Sequence, residues 1–84
     1  MNKLLYITTK TCGPCIQFAP IMEKISQMGI PVQKLDGEIH QSQVIKYGVR
    51  SVPTVIKINV NGEELSRFTG IKSLQEVIDF YHNH

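Results

Sequence analysis

The chain has 84 residues and a formal net charge of +2, a length that suits one domain and not two. Hydrophobic residues make up 42%, enough for a core and too many for a disordered segment, although so short a domain buries a modest share of its surface. Lys and Arg are scattered without a basic run, which gives a nucleic-acid role little support, and no apolar run approaches the length of a membrane span.

Met1-Asn2-Lys3 leads into Leu4-Leu5-Tyr6-Ile7. A lysine before an apolar stretch is how a signal peptide begins, but this stretch is too short and no small-residue cleavage site follows it. Leu4 to Thr8 therefore reads as a buried strand of a cytoplasmic protein. After the polar Thr9-Lys10-Thr11, a helix is expected to start near Cys12 or Gly13, with Pro14 in its first turn, where a missing N–H costs nothing. Phe18, Met22, Ile25 and Met28 continue a helical stripe. Pro20 should bend the helix and Gly29 should end it.

Pro31 to Leu35 reads as a second strand, broken by Asp36 and Gly37. A short helix is expected over Ser42 to Tyr47, closed by Gly48. Thr54 to Val60 is rich in β-branched residues, and Asn61-Gly62 predicts a type I′ hairpin into a return strand over Glu63 to Phe68, where Leu65 and Phe68 do not alternate cleanly. Ser73 and Glu76 have the spacing of a capping box. Leu74, Val77, Ile78 and Tyr81 then give a last helix its apolar stripe, with His82 and His84 in a frayed, exposed tail.

The expected fold is α/β, with the order β-α-β-α-β-β-α in a single domain over 1–84. The first two strands should be parallel through a right-handed crossover and the last two an antiparallel hairpin. A mixed four-stranded sheet with helices on both faces, a three-layer arrangement, follows.

Cys12 and Cys15 carry the chemistry. At a helix start, backbone N–H groups and the helix dipole favour a thiolate, and a Cys-X-X-Cys cysteine can fall well below the free thiol pKa of about 8.5. Cys12, nearer the end and more exposed, is expected to attack a disulfide. Cys15, one turn on, is expected to resolve the mixed disulfide intramolecularly. Two thiols also make half a zinc site, but His40, His82 and His84 have no spacing to the pair that completes one, so no metal is expected.

Cys12-Gly13-Pro14-Cys15 is the active-site motif of thioredoxins, and the chain resembles that family over about Leu4 to Tyr81. Ala19-Pro20-Ile21 is similar to its active-site-helix proline. Lys46-Tyr47-Gly48-Val49-Arg50-Ser51-Val52-Pro53-Thr54 resembles the loop before its third core strand. Asn61-Gly62 and Gly70 are similar to its hairpin turn and its glycine before the last helix. The resemblance implies a thioredoxin-like fold and a protein disulfide oxidoreductase. It also implies that Pro53 is cis and faces the cysteines, and that Val52 pairs with the substrate chain as an added strand. Read alone, Val52-Pro53-Thr54 would be a trans proline leading a strand. Thr11, Gly13, Pro14, Val52, Pro53 and Gly70 are expected to form a largely uncharged exposed surface around Cys12 that binds substrates.

The sequence departs from the family in several places. The first strand and helix of full-length thioredoxins are expected to be missing, which leaves a glutaredoxin-sized core. Thr11 stands where the family has tryptophan, and Tyr6 where it has the buried acid that helps deprotonate the resolving thiol. The companion lysine is Lys34. Tyr6 is a weak base near neutral pH, so the proton is expected to pass to water or Lys34; Asp36 is close enough in sequence to be considered as an acid, but the role is not assigned to it.

The resemblance implies no bound cofactor beyond the redox-active disulfide, with electrons from an NADPH-linked reductase. The implied partners are disulfide-containing proteins, including ribonucleotide reductase, together with thioredoxin reductase or the glutathione system, and a monomer is expected. Gly13-Pro14 leans toward thioredoxin. Gly70-Ile71-Lys72-Ser73 lacks the acidic residue with which glutaredoxins hold glutathione, although Lys72 could hold a carboxylate. A glutaredoxin-like electron donor and a thioredoxin-fold binding module are the alternatives.

Overall fold

The structure is a computed structural model and describes residues 1–83. The elements are β1 (Lys3–Thr8), α1 (Gly13–Gln27), β2 (Val32–Asp36), α2 (Gln41–Lys46), β3 (Thr54–Ile58), β4 (Glu64–Thr69) and α3 (Leu74–His82). They form the expected mixed four-stranded sheet, ordered β2-β1-β3-β4. β1 runs parallel to β2 and antiparallel to β3, and β3 pairs antiparallel with β4.

β1 is interior to the sheet, and both of its faces are covered. This is why Leu4-Leu5-Tyr6-Ile7 reads as an unbroken apolar run rather than an alternation. Leu4 and Tyr6 join Phe18, Met22, Ile25, Val55, Phe68 and Val77 in one core layer, under α1 and α3. Leu5 and Ile7 join Leu35, Ile56 and Ile58 in the other, where Val44 and Tyr47 of the α2 region pack. Successive strand residues point to opposite faces, so each strand feeds both cores.

Several boundaries differ from the sequence expectation. Pro31 lies outside β2, although its carbonyl accepts from the Leu4 N–H at 2.9 Å, and proline has no N–H to give a ladder in return. Asp36 is the last residue of β2 rather than its breaker, and its Oδ1 accepts from the Glu38 N–H at 2.9 Å to start the turn. Met28 is the C-cap of α1 and 51% exposed, not part of the buried stripe. The chain turns there, and Gly29 takes φ +92°, a conformation that glycine adopts at no steric cost.

The hairpin is not type I′, which needs positive φ at both central residues. Among the described residues only glycines have positive φ, and here that is Gly62 at +80°. β3 stops at Ile58 rather than Val60. Asn59 then organises the loop: its Oδ1 accepts from the Asn61 and Glu63 N–H groups at 2.9 and 3.0 Å, and its carbonyl accepts from Gly62 at 3.0 Å. The pairing steps from Lys57↔Ser66 to Ile58↔Glu64, so Leu65 is an extra residue in a β-bulge. That is the physical reason Leu65 breaks the alternation. The capping box of α3 is present: Ser73 Oγ accepts from the Glu76 N–H at 3.2 Å, and Glu76 Oε1 accepts from the Ser73 N–H at 3.0 Å. His82 is exposed but still helical, so the helix runs further than a frayed tail would. His84 lies outside the described residues.

β3 also carries a residue the pattern gives no warning of. Lys57 is 3% exposed. Its ammonium donates to the Phe80 carbonyl at 3.0 Å and to the Asn83 carbonyl, and it lies 5.5 Å from the centre of the Phe80 ring. It supplies positive charge and donors to the C-terminal end of α3, where unpaired carbonyls and the helix dipole favour both.

Candidate active site

α1 begins after a four-residue loop, Thr9 to Cys12, that follows β1, and Cys12 is its N-cap. The pair is joined as a disulfide with Cα atoms 5.1 Å apart, well inside the range a disulfide spans. The Cys15 N–H points at Cys12 Sγ from 3.1 Å. The orphan donor of the first turn thus faces the sulfur, as the position at a helix start predicts. Cys12 is half-buried, whereas Cys15 is 2% exposed.

The loop before β3 closes the other side. The Val52–Pro53 peptide bond is cis. The Val52 carbonyl oxygen lies 3.6 Å from Cys12 Sγ, so this loop faces the cysteines. The Thr54 hydroxyl donates to the Ser51 carbonyl at 2.6 Å, and the Gly70 N–H donates to the Pro53 carbonyl at 2.9 Å. The loop is therefore fixed from both ends, and Gly70 is tied to it. Among the described residues, Val52 makes no backbone hydrogen bond.

Thr11, Gly13 and Pro14 are exposed around Cys12, and Val52 and Gly70 are half-exposed. Pro53 is the exception to the expected surface: it is fully buried, because it leads into β3 between the two cores, so it shapes the site from beneath. Ile16, 65% exposed directly after Cys15, adds an apolar side chain near the pair that the sequence reading did not single out.

On the inner side, Tyr6 sits beneath α1, its ring edge-on to Phe18 at 5.8 Å. Its hydroxyl donates to the Cys15 carbonyl at 3.4 Å. Burial pushes the Tyr6 phenol up from its ordinary pKa, with a hydrogen bond to Thr8 opposing in part. A cavity of about 230 Å³ opens beside it, lined by Tyr6, Thr8, Lys10, Cys15, Lys34 and Asp36 among others. Lys34 and Tyr6 also line a neighbouring cavity of about 310 Å³, with Met22 and Glu23. Lys34 and Tyr6 are therefore brought together, next to the buried cysteine. Among the described residues, no cluster of three His, Cys, Asp or Glu side chains could hold a metal ion. Likewise, no described helix is long and apolar enough to cross a membrane.

The arrangement is that of a reversible dithiol–disulfide pair. One sulfur belongs to a half-buried residue at the helix start and faces the Cys15 N–H, the other residue is buried behind it, and the Val52 carbonyl lies alongside.

The family model that matches the chain is Thioredoxin, over residues 2–83. The thioredoxin of Bacillus subtilis is 36% identical over 74 residues, which are 81% of this chain and 70% of that protein. Among solved structures, thioredoxin-2 of a malaria parasite superposes with a TM-score of 0.89 at 26% identity, over 100% of this chain and 84% of that one. A mutant thioredoxin from Halobacterium salinarum superposes with a TM-score of 0.83 at 28% identity, over 99% of this chain and 76% of that one.

Proposed function

The chain belongs to the thioredoxin family and is a dithiol–disulfide oxidoreductase with a redox-active cysteine pair, and we propose from that premise that Cys12 is the attacking thiolate and Cys15 the resolving thiol. The observation that carries the assignment is the 3.1 Å approach of the Cys15 N–H to Cys12 Sγ. It stabilises charge on Cys12 in a way that the buried Cys15 sulfur does not share.

In the proposed cycle the Cys12 thiolate attacks a substrate disulfide, forming a mixed disulfide and expelling one substrate thiolate, which takes up a proton. Cys15 loses its proton and attacks the Cys12 sulfur. The Cys12–Cys15 disulfide forms and the second substrate thiolate leaves. Two electrons pass from the dithiol to the substrate. The substrate segment pairs with the free Val52 backbone as an added strand. Thr11, Gly13, Pro14 and Gly70 surround it, and Pro53 supports the loop from below. The surface offers shape and backbone rather than charge, which suits many protein disulfides, including one in ribonucleotide reductase. The proton of Cys15 leaves through the cavity that Lys34 and Tyr6 line.

We assign the electron supply to an NADPH-linked thioredoxin reductase rather than to glutathione, with the protein acting as a cytoplasmic monomer folded as one domain. Supporting this, Lys72, the residue that could hold a glutathione carboxylate, lies 4.0 Å from Glu76 Oε2 and over the Phe68 ring. The test offers the oxidised protein NADPH with thioredoxin reductase, or with glutathione and its reductase, and follows NADPH loss. Rapid oxidation with the first and not the second is expected. Reduction by glutathione alone would overturn the assignment.

A further inference from the structure

A buried thiol that must ionise needs somewhere to send its proton, and the residues beneath Cys15 limit the choice. The Tyr6 hydroxyl already donates to the Cys15 carbonyl, and burial holds its phenol in the neutral form. A protonated lysine has three donors and no lone pair, so Lys34 and Lys10 can attract a thiolate but cannot accept its proton. One carboxylate lines the same cavity of about 230 Å³ as Cys15: Asp36.

The strand register explains why it is there. Tyr6 pairs with Lys34 and Thr8 with Asp36 across the parallel β1·β2 ladder. Side chains of paired residues in a sheet share a face, so these four lie together on the α1 side. Leu35, between the two β2 residues, points into the opposite core. Asp36 therefore sits at the α1-facing end of the edge strand, half-buried.

We infer that Asp36 is the proton acceptor for Cys15, acting through water in this cavity, with Lys34 as the adjacent positive charge. This rests on the assignment of Cys15 as the resolving thiol. The cavity has room for several waters at about 30 Å³ each, and its lining offers them polar partners. In the step itself, the Cys15 S–H bond breaks and its proton passes through water to an Asp36 carboxylate oxygen. The sulfur lone pair forms the bond to Cys12 as the Cys12–substrate bond breaks, and the electron pair leaves on the substrate thiolate. Asp36 then returns its proton to solvent. The titratable groups facing Asp36 across the cavity are Lys10, Lys34, Tyr6 and Cys15. Glu38 and His40 lie in the following turn and donate their backbone N–H groups to Asp36 Oδ1 and to its carbonyl.

The test is stopped-flow reaction of the reduced protein with a chromogenic aryl disulfide across pH. The first chromophore reports attack by Cys12, and the second reports attack by Cys15 on the mixed disulfide. Asp36→Asn keeps an oxygen for the Glu38 N–H and so retains the turn, which circular dichroism verifies. In this variant the second phase is expected to fall about a hundredfold or more at neutral pH, the scale of a lost general base. It should also become proportional to hydroxide, while the first phase stays within about twofold; Asp36→Glu should restore part of the rate. If Cys15→Ser abolishes the second phase but Asp36→Asn leaves its rate and pH profile unchanged, the Asp36 assignment is overturned alone. A second phase surviving in Cys15→Ser would overturn the roles of the two cysteines, and the Asp36 assignment with them.

Discussion

The Cys15 backbone N–H meets Cys12 Sγ at 3.1 Å. One residue thus serves the site twice. Its main chain points an N–H at the Cys12 sulfur, while its own side chain lies buried, the place that the proposed resolving role requires. The asymmetry comes from position: Cys12 is the N-cap of α1, and Cys15 lies one turn inside, facing the sheet.

Serine substitutions should separate the two steps. Cys12→Ser is expected to abolish disulfide reduction, measured as precipitation of insulin by the reduced protein. Cys15→Ser should instead accumulate a mixed disulfide through Cys12, visible as a mass increase equal to the bound thiol. Trapping through Cys15 in the Cys12→Ser variant would reverse the roles.

Lys57 should matter far from the cysteines. Lys57→Met keeps apolar bulk but leaves the Phe80 and Asn83 carbonyls without the ammonium that they accept from. Loss of hydrogen bonds from a charged donor is expected to cost about 2–3 kcal/mol in a urea unfolding measurement. Hydrogen exchange should rise at the end of α3 first. Unchanged stability would mean that the ammonium contributes nothing beyond its stem.

Alkali should weaken the fold through Tyr6. Burial raises its folded pKa, so the unfolded chain ionises first. The stability at stake is complete below the ordinary tyrosine value of about 10 and is lost as pH rises from there through the raised folded value. Tyr6→Phe should remove this part of the alkaline loss and also the last phase of tyrosinate absorbance in a pH titration. A variant that unfolds along the same alkaline curve as the parent would refute it.

Acid acts with the opposite sign. The hydrogen bond from Arg67 holds Glu64 below the usual glutamate range, with the attraction of that guanidinium adding to it. Backbone and side-chain hydrogen bonds to Ser73 hold Glu76 down, helped by Lys72. Stability from both is complete above the ordinary value of about 4.3 and drains away as pH falls through their lowered folded values. Glu76→Gln should flatten the acid limb of a thermal-midpoint curve, and Ser73→Ala should cost about 1 kcal/mol at neutral pH through the lost cap.

The sequence by itself determined the element order, the parallel crossover, the capping box and the redox pair. Each is written locally: apolar runs of strand length, a helical stripe, Ser73 three residues before Glu76, and two cysteines at a helix start. It misjudged the hairpin because Asn61-Gly62 resembles a two-residue turn, whereas the Asn59 side chain and the Leu65 bulge decided a longer one. Nothing in the β-branched run from Thr54 to Val60 marks Lys57 as buried. Only the docking of α3 onto the sheet supplied the carbonyls that let a charge be buried there. Tertiary structure likewise buried Pro53 and aligned β1 with β2 so that Tyr6, Thr8, Lys34 and Asp36 share one face beneath Cys15. Those relationships depend on register and packing between segments distant in the chain, and a period of two or of 3.6 residues carries no record of which partner lies across the ladder.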